Sequence, residues 1–159
     1  MPPLPSSDNK SLPLADEFRE FCASLVAADV EFLLVGAYAV AAHGAPRFTG
    51  DFDLLVRPTA ENGSKLLSAI RAFGFPTGPL EAHSFEDPAT LVEMGVPPLQ
   101  VHVMTSISGV TWDEAWEGRL EVTFGGVRVP VLGRHELLRN KRAAGRAKDL
   151  ADIDALEGD

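Results

Sequence analysis

The chain has 159 residues, 45% hydrophobic and 23% charged, with a formal net charge of −9 and one cysteine, Cys22. That length suits a single domain with a real core, the acidic balance argues against non-specific nucleic-acid binding over the whole surface, and one cysteine excludes an intrachain disulfide. No apolar run approaches the roughly 20 residues that span a bilayer, and the opening MPPLPSSDNKSLPLA lacks the basic and apolar blocks of a signal peptide. Residues 1–14 therefore read as a flexible tail and 15–159 as one domain, with a cytoplasmic location expected.

In chain order, residues 15–28 place Phe18, Phe21, Cys22 and Leu25 at helical spacing. Cys22 reads as packing, because free cysteine is among the most buried residues. EFLLV (31–35) is a short strand, and GAYAVAAHG is an alanine-rich helix between glycines. DFDLLVRP is a second strand closed by Pro58, and the segment from Thr59 to Gly74 is a helix with Thr59 as N-cap and Gly74 as stop. Residues 75–98 carry five prolines, with a short helix expected over 89–94. LQVHVMT is a strand and TWDEAWEG a short helix capped by Thr111. LEVTFGGVRVPVL is a hairpin turning at Gly125-Gly126. RHELLRNKRAAG and KDLADIDALE are closing helices split at Gly145. The expected fold class is α+β, a mixed β-sheet with flanking helices, a C-terminal hairpin and two closing helices.

Asp51 and Asp53 stand one residue apart on a strand whose other members, Phe52, Leu54, Leu55 and Val56, are apolar. Residues i and i+2 of a strand share a face, with Cα atoms about 7 Å apart, so both carboxylates can reach one cation. Two like charges on a buried strand need neutralising. A metal ion would do this; so would basic side chains such as Arg47 and Lys148 in a purely structural ion cluster. A second feature is the segment from Arg134 to Lys148, which has six basic residues against the single acid Glu136, a balance of +5 that leaves −14 on the remainder. Such a segment is either a local anion site or a solvated helix face.

Other patterns carry less chemistry. His43, His83, His102 and His135 show no metal-ligand spacing with one another or with Cys22. His43 is expected to pack or hydrogen-bond beside the glycine turn. Trp112 and Trp116, four apart on a short helix, suit packing. The tail DLADIDALEGD reads as a solvated helix face, with Asp149 and Asp152 placed to orient Lys141 or Arg146. Walker-type, Gly-x-Gly-x-x-Gly and Gly-x-Ser-x-Gly motifs are missing from the sequence.

The order strand, Gly36-Ala37, short helix, then HGAPRFTGDFDLLV resembles the nucleotidyltransferase superfamily, whose fold is polymerase β-like. TSISGVTWDEAW and NKRAAGRAKDLADIDAL resemble its small bacterial stand-alone or toxin–antitoxin-linked members, so the likeness runs from about Glu31 onward. The resemblance implies transfer of a nucleoside monophosphate from a nucleoside triphosphate to an RNA or protein hydroxyl, with a toxin–antitoxin partner protein as a further expectation. It implies Mg²⁺, or Mn²⁺, held by Asp51 and Asp53, with Asp51, Asp53 and His102 as the catalytic set. Gly36, Ala37, Arg47, Thr49, Lys141 and Lys148 become the nucleotide-binding candidates. The sequence departs from the pattern at Ala37, where glycine or serine is usual, and at His102, where family members usually carry a third aspartate. Imidazole is a poor magnesium ligand and adds no negative charge. A degenerate fold that binds nucleotide or a partner without turnover is the alternative.

Overall fold

A computed structural model describes residues 16–45, 51–96 and 99–158. The expected tail at 1–14 lies outside these residues. Helix α1 (Asp16–Ala27) leads to strand β1 (Phe32–Val35), helix α2 (Gly36–Ala42), strand β2 (Asp51–Val56) and helix α3 (Ala60–Phe73). A 3₁₀ turn (Ala82–Glu86), strands β3 (Leu91–Val96) and β4 (Leu99–Met104) and helix α4 (Trp112–Glu117) follow. Strands β5 (Leu120–Phe124) and β6 (Val127–Val131) and helices α5 (Arg134–Ala144) and α6 (Ala147–Glu157) complete the chain.

The strands form one mixed sheet in the order β3-β4-β2-β1-β6-β5. β2 runs antiparallel to β1 and parallel to β4, with Asp53 beside Val35 on one side and His102 on the other. This is the α+β architecture expected, including the hairpin and the closing helices. Gly125 and Gly126 turn the hairpin with φ of +53° and +87°, the left-handed pair a two-residue turn requires.

One correction falls between 75 and 98. The helix expected over 89–94 is strand β3, and among the described residues of that segment the helical turn is Ala82–Glu86. Met94 is buried while Leu91, Glu93, Gly95 and Val96 are exposed. So short an apolar stretch suits either element, and pairing with β4 along its whole length decides it.

The β2 face opposite the aspartates carries the core. Phe52 and Leu54 are fully buried, and Phe18 from α1 stacks on Phe52 with ring centroids 4.6 Å apart. Cys22 sits in this core with no exposed surface; burial pushes its thiol up to about 12. Buried Asn62 ties the start of β1 to the end of β2. Its side-chain oxygen accepts from the Glu31 backbone at 2.8 Å, and its amide donates to the Glu31 and Arg57 carbonyls at 2.9 and 3.1 Å. Thr59 and Thr111 cap α3 and α4 as expected, each accepting from a backbone N–H three residues on. Trp112 and Trp116 stack at 5.2 Å, with the Arg119 guanidinium 3.9 Å over the second ring. Among the described residues, no helix is long and apolar enough to cross a membrane.

Candidate active site

Strand alternation sends Asp51 and Asp53 to the face opposite Phe52 and Leu54. There they line a cleft of about 830 Å³ whose floor includes Glu93, His102 and Met104 from the neighbouring strands. Its far wall is Asn140, Lys141 and Ala144 of α5 with Arg146 and Lys148 at the start of α6. Carboxylates on a sheet thus face cations on a helix pair.

Asp53 is the better buried of the two aspartates. Its Oδ1 lies 2.8 Å from His102 Nδ1, and His102 Nε2 lies 3.1 Å from Gln100 Oε1 and 3.5 Å from Glu93 Oε2. Burial pushes the Asp53 carboxyl above its ordinary value, against the hydrogen bond and charge of His102; the Asp51 charge raises it further and Lys148 lowers it. Gly36 explains how the backbone passes so close. Its φ is +69°, and a Cβ there would stand 2.3 Å from Asp53 Oδ2. Glycine is required on both counts.

The basic wall is anchored from behind. Lys141 is buried and reaches Asp149 at 3.2 Å and Asp152 at 3.1 Å. Asp149, also buried, accepts from the Arg146 backbone N–H at 3.1 Å and from Arg146 Nε at 2.6 Å. Burial opposes the charge on Asp149, but the bonds from Arg146 and Lys141 outweigh it and bring its pKa down to about 2. In return, the hydrogen bond and charge of Asp149 raise the Arg146 pKa. Asp149 and Asp152 therefore do orient Lys141 and Arg146, as their spacing suggested. They are not part of a solvated face, however: both are buried, because α6 packs them against α5.

Of the sequence candidates, Gly36, Asp51, Asp53, His102, Lys141 and Lys148 come together at the cleft. Ala37 is buried and does not line it. Arg47 and Thr49 fall at 46–50, outside the described residues. His43 bonds the Leu132 carbonyl at 2.8 Å beside the glycine turn, in keeping with a packing role. Sequence reasoning missed Arg146 as a cleft residue, although the basic segment contained it. It also missed Glu93, whose place beside His102 follows from the β3–β4 register, and Gln100, two residues before His102 on the same strand face.

Asp51 and Asp53 offer the hard oxygen donors that suit magnesium, and the space a Cβ would fill at Gly36 is left open beside Asp53 Oδ2. Among the described residues, no three His, Cys, Asp or Glu side chains are grouped to hold a metal ion on their own. Magnesium is commonly bound through one or two carboxylates plus substrate phosphates, so a carboxylate pair fits it.

No protein-family model matches the sequence, and no curated protein matches it. Solved structures do. The antibiotic-resistance factor ANT(2″)-Ia superposes with a TM-score of 0.60 at 14% identity, over 88% of this chain and 80% of that one. A lincosamide antibiotic adenylyltransferase, with lincomycin bound, gives 0.58 at 13% identity over 91% and 96%. An antigenic nucleotidyltransferase-like protein from Paracoccidioides brasiliensis gives 0.55 at 18% identity over 89% and 76%. The chain shares its fold with these solved nucleotidyltransferase structures.

Proposed function

We propose that the protein transfers a nucleoside monophosphate from a nucleoside triphosphate to a hydroxyl of RNA or of a protein. The observation that carries this reading is the Asp51–Asp53 pair facing a basic helix wall across one cleft of a nucleotidyltransferase-type fold. Phosphoryl-type transfer asks little covalent work of a protein and much positioning and charge neutralisation. The cleft is built for both.

Asp51 and Asp53 would hold a divalent cation, Mg²⁺ or Mn²⁺, between themselves and the triphosphate. The chemistry such an ion would supply is neutralisation of the triphosphate's charge and acidification of the attacking hydroxyl. Gly36 leaves room for phosphate against the backbone, and the N-cap of α2, Val35, makes no side-chain hydrogen bond that would compete for the first N–H groups. Lys148 is exposed on the cleft wall and Arg146 is braced by Asp149; both suit phosphate oxygens. Lys141 is held deeper by its two aspartates and sets the position of that wall. Arg47 and Thr49 remain candidates for the same phosphates through the family resemblance. That resemblance also supports a toxin–antitoxin partner protein.

A second reading, nucleotide or partner binding without turnover, is favoured by one observation. His102 stands at the usual third carboxylate and takes up Asp53 Oδ1. Equilibrium binding of labelled nucleoside triphosphates with and without Mg²⁺ tests what the two readings share as to nucleotide. The wild type should bind in a Mg²⁺-dependent way and Asp51→Asn/Asp53→Asn should not. Undiminished Mg²⁺-dependent binding by the double variant would remove the two-carboxylate site.

A further inference from the structure

The position of His102 bears on how many metal ions the site takes, given the nucleotidyl-transfer reading on which this rests. The β2–β4 register sets His102 directly beside Asp53. Its Nδ1 meets Asp53 Oδ1 at 2.8 Å. An ionised carboxylate only accepts hydrogen bonds, so Nδ1 carries the proton and has no lone pair for a metal. The other nitrogen is also engaged, with Gln100 Oε1 at 3.1 Å and Glu93 Oε2 at 3.5 Å. Turning the Gln100 amide over would present its NH₂ donor in place of the Oε1 acceptor but leaves Nε2 occupied.

The same contact changes what Asp53 can offer. The imidazole lies against Asp53 Oδ1, on the side from which a second ion would approach that oxygen, and takes one of its lone pairs. Asp53 Oδ2 lies on the other side, toward Gly36. We propose that His102, backed by Gln100 and Glu93, closes the second divalent-ion position, so that Asp51 and Asp53 take a single ion with the nucleotide. His102 is then a positioning residue for Asp53.

The test counts manganese on the full chain. Protein with a saturating non-hydrolysable nucleoside triphosphate analogue is dialysed against excess Mn²⁺, with the analogue alone subtracted, and the bound ion is examined by pulsed EPR for directly coordinated nitrogen. One Mn²⁺ per chain without nitrogen coupling is expected, rising to two in His102→Asp. Two ions in the wild type, or a nitrogen coupling that vanishes in His102→Asn, would overturn the assignment. Nucleotide bound with no manganese would overturn it too, while leaving nucleotide binding intact. No metal-dependent binding of either would instead overturn the nucleotidyl-transfer reading itself. Should His102→Asp fail to fold, the wild-type stoichiometry and nitrogen coupling decide alone.

Discussion

Replacing Asp149 by asparagine removes a buried charge from the joint between α5 and α6. The carboxylate has no exposed surface and accepts from Lys141 Nζ at 3.2 Å and from Arg146 at its backbone N–H (3.1 Å), Nε (2.6 Å) and Nη2 (3.2 Å). Its pKa falls from 3.8 to about 2 in the folded chain, a difference worth about 2 kcal/mol of stability at neutral pH. The group is depressed on folding, so this stability is fully present above the unfolded value near 4 and is lost as pH falls toward 2. Asp149→Asn also leaves buried Lys141 with half of its compensation, and breaking a buried pair is costly, so a total loss of about 2–4 kcal/mol at pH 7 is expected. Urea unfolding at pH 7 and at steps from pH 5 to pH 2 measures both quantities. The variant should be less stable at pH 7, and its stability should fall less steeply between pH 4 and pH 2. A change below about 0.5 kcal/mol at pH 7 with an unaltered acid profile would refute this account of the joint.

Lys148→Ala should leave the unfolding midpoint almost unmoved, since the side chain is exposed, yet weaken Mg²⁺-dependent nucleotide binding about tenfold or more if it meets a phosphate; isothermal titration beside thermal unfolding separates the two. Gly36→Ala should destabilise the fold by about 1–3 kcal/mol, because alanine at positive φ is strained and its Cβ would strike Asp53 Oδ2; urea unfolding reads the loss. The Cys22 thiol, buried and raised to about 12, should resist a disulfide-exchange reagent in the native protein and react fully in urea.

Most of the fold could be read in the chain because local signals and burial agree there. Helix α3 carries its cap at Thr59 and its left-handed stop at Gly74, and the glycine pair of the hairpin stands where the turn requires it. Strand β3 was misread because so short an apolar stretch has no period of its own to settle its conformation; partnership with β4 does so, and that is a long-range fact. The same limit hid Glu93 from the site. The proximity of Glu93 to His102 follows from strand register, which the sequence does not print; Gln100, two residues before His102 on the same strand, could have been found by alternation. Asp51, Asp53 and Gly36 were legible because the period of two and the glycine turn are local, whereas His102 was reached through the family resemblance. The burial of Asp149 and Asp152 was not legible, since an acidic helix looks solvated until α5 supplies Lys141 opposite it.

The central claim is that this cleft moves a nucleotide. Purified chain incubated with each α-³²P-labelled nucleoside triphosphate, with Mg²⁺ or Mn²⁺ and with cell lysate supplying RNA and protein acceptors, tests it directly. The account predicts label transferred to an RNA or protein band by the wild type, none by Asp51→Asn/Asp53→Asn, and release of pyrophosphate in equal amount. Metal-dependent nucleotide binding without label on any acceptor, with either ion, would contradict it and leave the non-catalytic reading in its place.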